Sequence, residues 1–241
     1  MKLPSLVKPV ARKSRDALRN AYYAMYRQFR RPLPGEYQTY SYTRPDRYPW
    51  LFEFAARQLG SNRPLNILSF GCSRGDEVFS LRRYFPLASL KGIDVNRHNI
   101  ARCLARVRAE KPVNMTFATA ASTAGEPTSS YDAIFCLAVL VSGDLTTSGA
   151  QRCDPVFHFE RFDRQIADFA RCLTPGGLLV LHTTNFRFCD TAVAGDFSVV
   201  LEADPSHLAP DVLFDRDNRL MPGERARYRA VAFRKTGPQL T

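Results

Sequence analysis

A glycine turn followed by an acidic residue is the feature of this chain most able to do chemistry. Residues 67–77 read ILSFGCSRGDE, an apolar run that breaks at Gly71 and Gly75 before a helical pattern begins. Glycines let the backbone approach a ligand closely, and a helix start presents free N–H groups. Asp94 follows at the end of the next apolar segment, where a carboxylate can accept hydrogen bonds from both ribose hydroxyls. Turn and acid together indicate a site for a nucleoside-bearing cofactor.

The glycine spacing narrows the class of cofactor. A nicotinamide site normally reads G-x-G-x-x-G, whereas this turn has three residues between Gly71 and Gly75. A phosphate-binding P-loop would end in Gly-Lys-Ser/Thr, which is missing here. The turn therefore fits a cofactor without a pyrophosphate.

Alternating apolar runs and helical patterns must position these residues. Such alternation predicts a parallel sheet covered by helices on both faces. The predicted strands are 65–70, 89–95, 115–118, 131–140, 178–182, 197–201 and 228–235. The predicted helices are 49–59, 76–85, a segment around 100–107, and 154–173, which Asp154 caps and Pro155 begins. A loop of roughly 25 residues separates the last two strands, long enough to suspect of function.

The N-terminal part has a different composition. Residues 1–31 hold nine Lys or Arg and one acid, so most of the net charge of +11 lies there. Residues 10–30 have the spacing of a basic amphipathic helix, which could pack on the domain, lie on an anionic membrane surface or bind nucleic acid. Residues 31–49 are rich in Pro and Tyr and predict a linker or a lid strap.

Cysteine usage and hydropathy indicate the compartment. The six cysteines are spread singly, with no C-x-x-C pair, as expected for reduced thiols. The longest apolar run is far shorter than the roughly 20 residues of a membrane-spanning helix. We therefore expect a cytoplasmic protein, with peripheral membrane contact as an open alternative.

Four segments together resemble the class I S-adenosylmethionine-dependent methyltransferases over about residues 49–236. They are LSFGCSRGDE, GIDVN, YDAIFCLAVL and LTPGGLLVLHTTNF, and the wording of the first and third is most similar to the chemotaxis receptor methyltransferases and their looser relatives. The chain lacks space for the extra domains of that family, so receptor methylation is not implied. The resemblance implies an α/β, Rossmann-like doubly wound sheet, mostly parallel with an antiparallel last strand, in a domain 49–241 preceded by an extension 1–48.

The resemblance also implies the cofactor S-adenosylmethionine, its product S-adenosylhomocysteine, and the residues that hold it. Asp94 would bind the ribose and Val95 would lie against adenine. The methionine and ribose part would contact Phe70, Gly71, Cys72 and Gly75, and the transferring methyl group would be flanked by Cys136 and Leu137. Two positions depart from the family pattern: Ser69 replaces an acid, and the run 118–122 lacks the acid expected after the third strand.

Methyl transfer from a sulfonium is an in-line displacement that needs alignment and, for some acceptors, removal of one proton. No metal is expected. His182, at the end of the fifth strand, and His158 are the candidate bases, although His158 also fits a packed or capping histidine. Asn185 and Arg187 follow the fifth strand and could orient an acidic or sugar-like acceptor.

The acceptor itself has no motif in the sequence. We expect methylation of an O or N atom of a small molecule or of a glycan- or lipid-linked precursor. RNA or protein methylation through the basic N-terminal arm is the alternative, although nucleic acid is not favoured. A non-catalytic interaction protein that keeps the Rossmann-like sheet is the third reading.

Overall fold

The structure is a computed structural model that describes residues 33–38 and 42–236. The chain divides into two compact units after Pro34, and every element below belongs to the second unit, Gly35–Thr241. The predicted basic helix at 10–30 lies outside the described residues. In the part that is described, no helix is long and apolar enough to cross a membrane.

Helices and strands alternate along the second unit as predicted. The helices are α1 (Pro49–Leu59), α2 (Asp76–Tyr84), α3 (Arg97–Glu110), α4 (Gly143–Ser148), α5 (Phe159–Cys172) and α6 (Glu224–Arg227). The strands are β1 (Asn66–Phe70), β2 (Ser89–Asp94), β3 (Met115–Thr119), β4 (Tyr131–Leu137), β5 (Leu173–His182), β6 (Phe197–Glu202) and β7 (Ala230–Lys235).

These strands form one seven-stranded sheet in the order β3-β2-β1-β4-β5-β7-β6. The pairs among β1 to β5 are parallel, whereas β7 runs antiparallel to both β5 and β6. The predicted Rossmann-like sheet with an antiparallel last strand is therefore confirmed. The strand order reverses between β1 and β4, and in such sheets ligands bind at this switch, beyond the carboxyl ends of the strands.

The apolar runs are buried on both faces of the sheet because helices cover both. On β1, Ile67 packs into a cluster with α1 and α2, while the next residue, Leu68, packs on the opposite face with α5. The stripe of α5 that faces the sheet contains Phe162, Ile166 and Phe169, all fully buried. Packing of helices on both faces of the sheet fixes the positions of the strand ends, which form the candidate site.

Three predicted boundaries were wrong for local reasons. The fifth helix begins at Phe159 rather than at Asp154, because Val156 and Phe157 donate to the carbonyl of Cys153 in a turn. The fourth strand ends at Leu137, since Ala138 adopts a left-handed φ of 57°. The fifth strand begins at Leu173, immediately after α5, instead of at residue 178.

Candidate active site

A cavity lies beyond the carboxyl ends of β1, β2 and β4, at the switch in strand order. We call it the strand-end cavity. Its floor is formed by Phe70, Gly71, Cys72, Ser73, Asp94, Val95, Ala120, Ala121, Leu137, Ala138 and Val139. One helix residue on each side, Phe52 and Glu77, completes the wall. The remaining lining comes from residues 35–38 and 42–48, which we call the strap.

The glycine turn after β1 is held in place by backbone hydrogen bonds. The amides of Gly71 and Cys72 both donate to the carbonyl of Ile93, at 2.8 and 2.9 Å. Gly71 has a φ of 73°, and a Cβ there would lie 2.4 Å from a methyl carbon of Val139. Glycine is required at this position both for its conformation and for the close approach of Val139.

Asp94 is the acid that connects this turn to β2. One carboxylate oxygen accepts a hydrogen bond from the Ser73 amide at 2.8 Å, and the other accepts from the Asn96 amide at 2.8 Å and from Asn99 at 3.3 Å. A carboxylate has about four acceptor sites, so the oxygen bonded to Ser73 can accept a further hydrogen bond. The carboxylate is buried at the floor of the cavity, fixed in orientation and able to receive a ligand hydroxyl.

Glu77 is a second carboxylate of the cavity, which the sequence interpretation overlooked. It lies on α2, and its side chain accepts a hydrogen bond from the Ser69 hydroxyl at 2.8 Å. Burial raises its pKa to about 7, although the Ser69 hydrogen bond and Arg47 oppose the shift. The family pattern places an acid at position 69, and here α2 supplies a carboxylate beside that position instead. In the sequence, this role could have been found from the acidic residue eight positions after Ser69.

The strap brings cationic and aromatic side chains to the opposite wall. The guanidinium of Arg47 donates to the carbonyl of Tyr42 at 3.1 Å and lies 4.9 Å from the ring centre of Tyr48. Within the described residues, no carboxylate oxygen lies within 4.0 Å of it. Arg44 also lines the cavity. This wall therefore presents positive charge opposite Glu77 and Asp94.

Most of the predicted cofactor residues meet in this cavity. Phe70, Gly71, Cys72, Asp94, Val95 and Leu137 all line it. Gly75 lies behind the turn as the N-cap of α2, with a left-handed backbone. Cys136 is buried in the core beneath α5 and is absent from the lining. Strand alternation explains the last result, because Leu137 and Cys136 face opposite sides of the sheet.

His182 is buried between aromatic rings rather than exposed in the cavity. Its Nε2 lies 3.1 Å from the carbonyl of His207, which only accepts, so Nε2 carries the proton. Nδ1 therefore accepts from the Thr183 hydroxyl, 2.8 Å away. Burial lowers the pKa of His182 to about 4. The ring is neutral near pH 7, and both its nitrogens are engaged, which suits a residue that positions its neighbours.

The other three predicted residues lie away from the cavity lining. His158 is the exposed N-cap of α5, with its ring 3.9 Å from Glu160. Asn185 is fully buried, where its carboxamide accepts from the amide of Ser142 and donates to the carbonyl of Val212. Arg187 forms ion pairs with Asp190 and Glu224 at 2.8 and 2.9 Å. In this structure Asn185 and Arg187 fix the chain after β5.

Comparisons with known proteins agree with this architecture. Residues 67–177 match a protein family described as a methyltransferase domain. No curated protein matches the chain. Of the described residues, none form a group of three or more His, Cys, Asp or Glu side chains that could hold a metal ion.

Several solved structures are similar to part of this chain. YcgJ of Bacillus subtilis is 15% identical, with a TM-score of 0.43 over 58% of this chain and 52% of that one. Phosphoethanolamine N-methyltransferase 2 of Haemonchus contortus is 20% identical, with a TM-score of 0.44 over 60% of this chain and 31% of that one. Geranyl diphosphate C-methyltransferase of Streptomyces coelicolor is 16% identical, with a TM-score of 0.41 over 55% of this chain and 44% of that one.

The chain thus spans about half or less of the length of these three structures. The family match covers the turn, both flanking strands and Asp94, which are the parts that form the floor of the strand-end cavity. Residues 67–177, which supply this floor, therefore match a methyltransferase domain.

Proposed function

We propose that this protein transfers a methyl group from S-adenosylmethionine to an O or N atom of a small molecule or of a glycan- or lipid-linked precursor. The observation that supports it is the meeting of the Gly71 turn and the Asp94 carboxylate in one cavity that also holds positive charge.

Each part of the cofactor has a matching group in the cavity. The free acceptor site on Asp94 suits the ribose hydroxyls, and the small apolar residues Val95, Ala120 and Ala121 suit the adenine ring. Glu77 suits the ammonium group of the methionine part, and a strap arginine suits its carboxylate.

The chemistry that the cofactor supplies is an activated methyl group with a neutral thioether as leaving group. The protein then has to align an acceptor with that methyl group and keep water out. Tyr48 and Arg47 of the strap form the wall where an acceptor would enter. His182 holds this region in place, because its ring packs at 4.9 Å from the Tyr48 ring and its Nε2 bonds the 207 carbonyl.

A labelling experiment tests the class of acceptor. Purified full-length protein is incubated with methyl-labelled S-adenosylmethionine and a fractionated cell extract, with the Asp94→Ala variant as control. We expect label in the small-molecule or lipid fraction and none with the variant. Label confined to RNA or protein would contradict this class and favour a role for the basic residues 1–31 in acceptor binding.

A further inference from the structure

A second cavity of about 470 Å³ lies between the loop after β6 and helix α6. It shares no lining residue with the strand-end cavity. Its wall is largely apolar and includes Leu208, Val212, Leu213, Leu220 and Met221. Two charged side chains interrupt this wall, Asp211 and Arg225. We call it the Asp211–Arg225 cavity.

Arg225 is a half-buried cation for which no hydrogen-bond partner is found among the described residues. Its Nε is buried and makes no hydrogen bond, and no carboxylate of the described residues lies within 4.0 Å of its guanidinium. Buried polar groups in folded proteins are almost always hydrogen-bonded, and an unpaired one costs free energy. Burial lowers the pKa of Arg225 below its usual range, which is the sign of an under-compensated charge.

Asp211 is the matching anion of the same cavity. The only hydrogen bond found for its side chain within the described residues is a long one, 3.5 Å, from the Thr146 hydroxyl. Burial raises its pKa, although Arg225 attracts it electrostatically. The two charges are thus close enough to attract each other and too far apart to pair. A bound molecule could satisfy both.

The chain beside this cavity contacts the strap through His182, whose Nε2 lies 3.1 Å from the carbonyl of His207 and whose ring centre lies 4.9 Å from that of Tyr48. Asp211 interacts electrostatically with Arg47 and with the Tyr48 hydroxyl, and both of those residues line the strand-end cavity.

We infer that the Asp211–Arg225 cavity binds a small zwitterion with an apolar body. A carboxylate would accept two parallel hydrogen bonds from the Arg225 guanidinium, an ammonium would donate to Asp211, and methylene groups would cover the apolar wall between them.

Aminoalkanoates are the probes that test this inference. Binding of 4-aminobutanoate, 6-aminohexanoate and 8-aminooctanoate to the full-length protein is measured by saturation-transfer NMR, with and without S-adenosylhomocysteine. Hexanoate and hexylamine each carry one of the two charges and serve as matched ligands. We expect one chain length to bind about tenfold more tightly than both of these, since each lacks one charge-assisted contact. Equal binding of hexanoate, or no aminoalkanoate binding at all, would overturn the inference.

Variants separate a ligand site from a structural charge pair. Arg225→Gln and Asp211→Asn should each weaken binding about tenfold, whereas the exposed Arg227→Gln and Asp217→Asn should not. Because neither charge is satisfied in the free protein, the first two variants should melt at or above the wild-type temperature. A clear fall in melting temperature would show that the two residues support the fold, and would overturn the inference.

The two proposals fail differently. Binding of S-adenosylhomocysteine without any aminoalkanoate binding would overturn the cavity assignment alone. Aminoalkanoate binding by a protein that does not bind S-adenosylhomocysteine would support the cavity assignment and contradict the proposed function.

Discussion

The strand-end cavity and the Asp211–Arg225 cavity are built in opposite ways. The floor of the first consists of strand ends and a turn held by backbone hydrogen bonds, such as those from Gly71 and Cys72 to Ile93. The second is formed by a long connection between β6 and β7, with two charges that lack close partners. The difference teaches that the floor of one cavity is fixed by local backbone geometry, whereas the charged wall of the other depends on side chains without close partners.

Removing the Asp94 carboxylate should have the largest effect on the first cavity. Asp94→Ala deprives the Ser73 and Asn96 amides of their acceptor and removes the ribose contact, so we expect about 100-fold weaker S-adenosylmethionine binding by calorimetry. Asp132→Ala is the control, because that carboxylate bonds the Asn66 amide at the start of β1. Equal affinities of the two variants would show that Asp94 does not bind the cofactor.

A side chain at Gly71 should destabilise the turn, with an effect on free energy nearly as large as that of Asp94→Ala. Gly71→Ala places a methyl group against Val139 in a left-handed conformation, which we expect to cost about 2–3 kcal/mol of unfolding free energy. Gly149→Ala has a similar φ of 64° with nothing within 4 Å, so it should cost only about 1 kcal/mol. Urea unfolding measures both, and equal losses would mean that the close contact with Val139 is unimportant.

His182 should make the free energy of unfolding of the protein depend on pH. Its folded pKa of about 4 lies below the ordinary 6.5, so the unfolded chain binds more protons between these values and stability falls as pH drops from 6.5 towards 4. Between pH 7 and pH 5 this loss amounts to about 2 kcal/mol.

Urea unfolding of the wild type and of His182→Gln at both pH values isolates this contribution. The raised pKa of Glu77 acts in the opposite direction but is common to both proteins, so it cancels. An unchanged pH dependence in the variant would show that His182 is not buried as a neutral ring.

Substitution of Glu77 should have the smallest effect on cofactor binding. It is detected through the number of protons released when the cofactor binds. The pKa of about 7 leaves Glu77 largely protonated at pH 6.5, and a nearby cofactor ammonium would favour the carboxylate. Binding should therefore release protons, and affinity should rise with pH up to about 7. Calorimetry in buffers of different ionisation enthalpy measures this release. Glu77→Gln should abolish it and weaken binding about tenfold, or about 1.4 kcal/mol; proton release that persists in the variant would assign it to another group.

The sequence predicted the sheet and the floor of the strand-end cavity well because both depend on local patterns. Gly71, Asp94 and Val95 are adjacent to strand ends, and periodicity alone locates those ends. Glu77 was missed because its role depends on a contact with Ser69 that only the geometry of α2 shows. Cys136 was predicted to flank the methyl group, but its side chain packs in the core. Successive side chains of a strand face opposite sides of the sheet, so an error of one residue reverses such a prediction.

The surroundings of Asn185 and Arg187 could not be predicted, because they depend on contacts between distant segments. Asn185 and Arg187 follow β5 as expected, but their partners lie at Ser142, Val212 and Glu224. Asp211 and Arg225 have no motif, and their importance comes only from burial without close partners. Sequence periodicity reports which face of an element is buried, and it carries no information on which loops meet.

Calorimetric titration of the full-length protein with S-adenosylmethionine and, separately, with S-adenosylhomocysteine tests the central claim most directly. The geometry of the Gly71 turn and Asp94 predicts micromolar binding of both at one site per chain. No detectable binding by a protein that unfolds cooperatively on heating would contradict it, because the strand-end cavity would then be intact and still not a cofactor site.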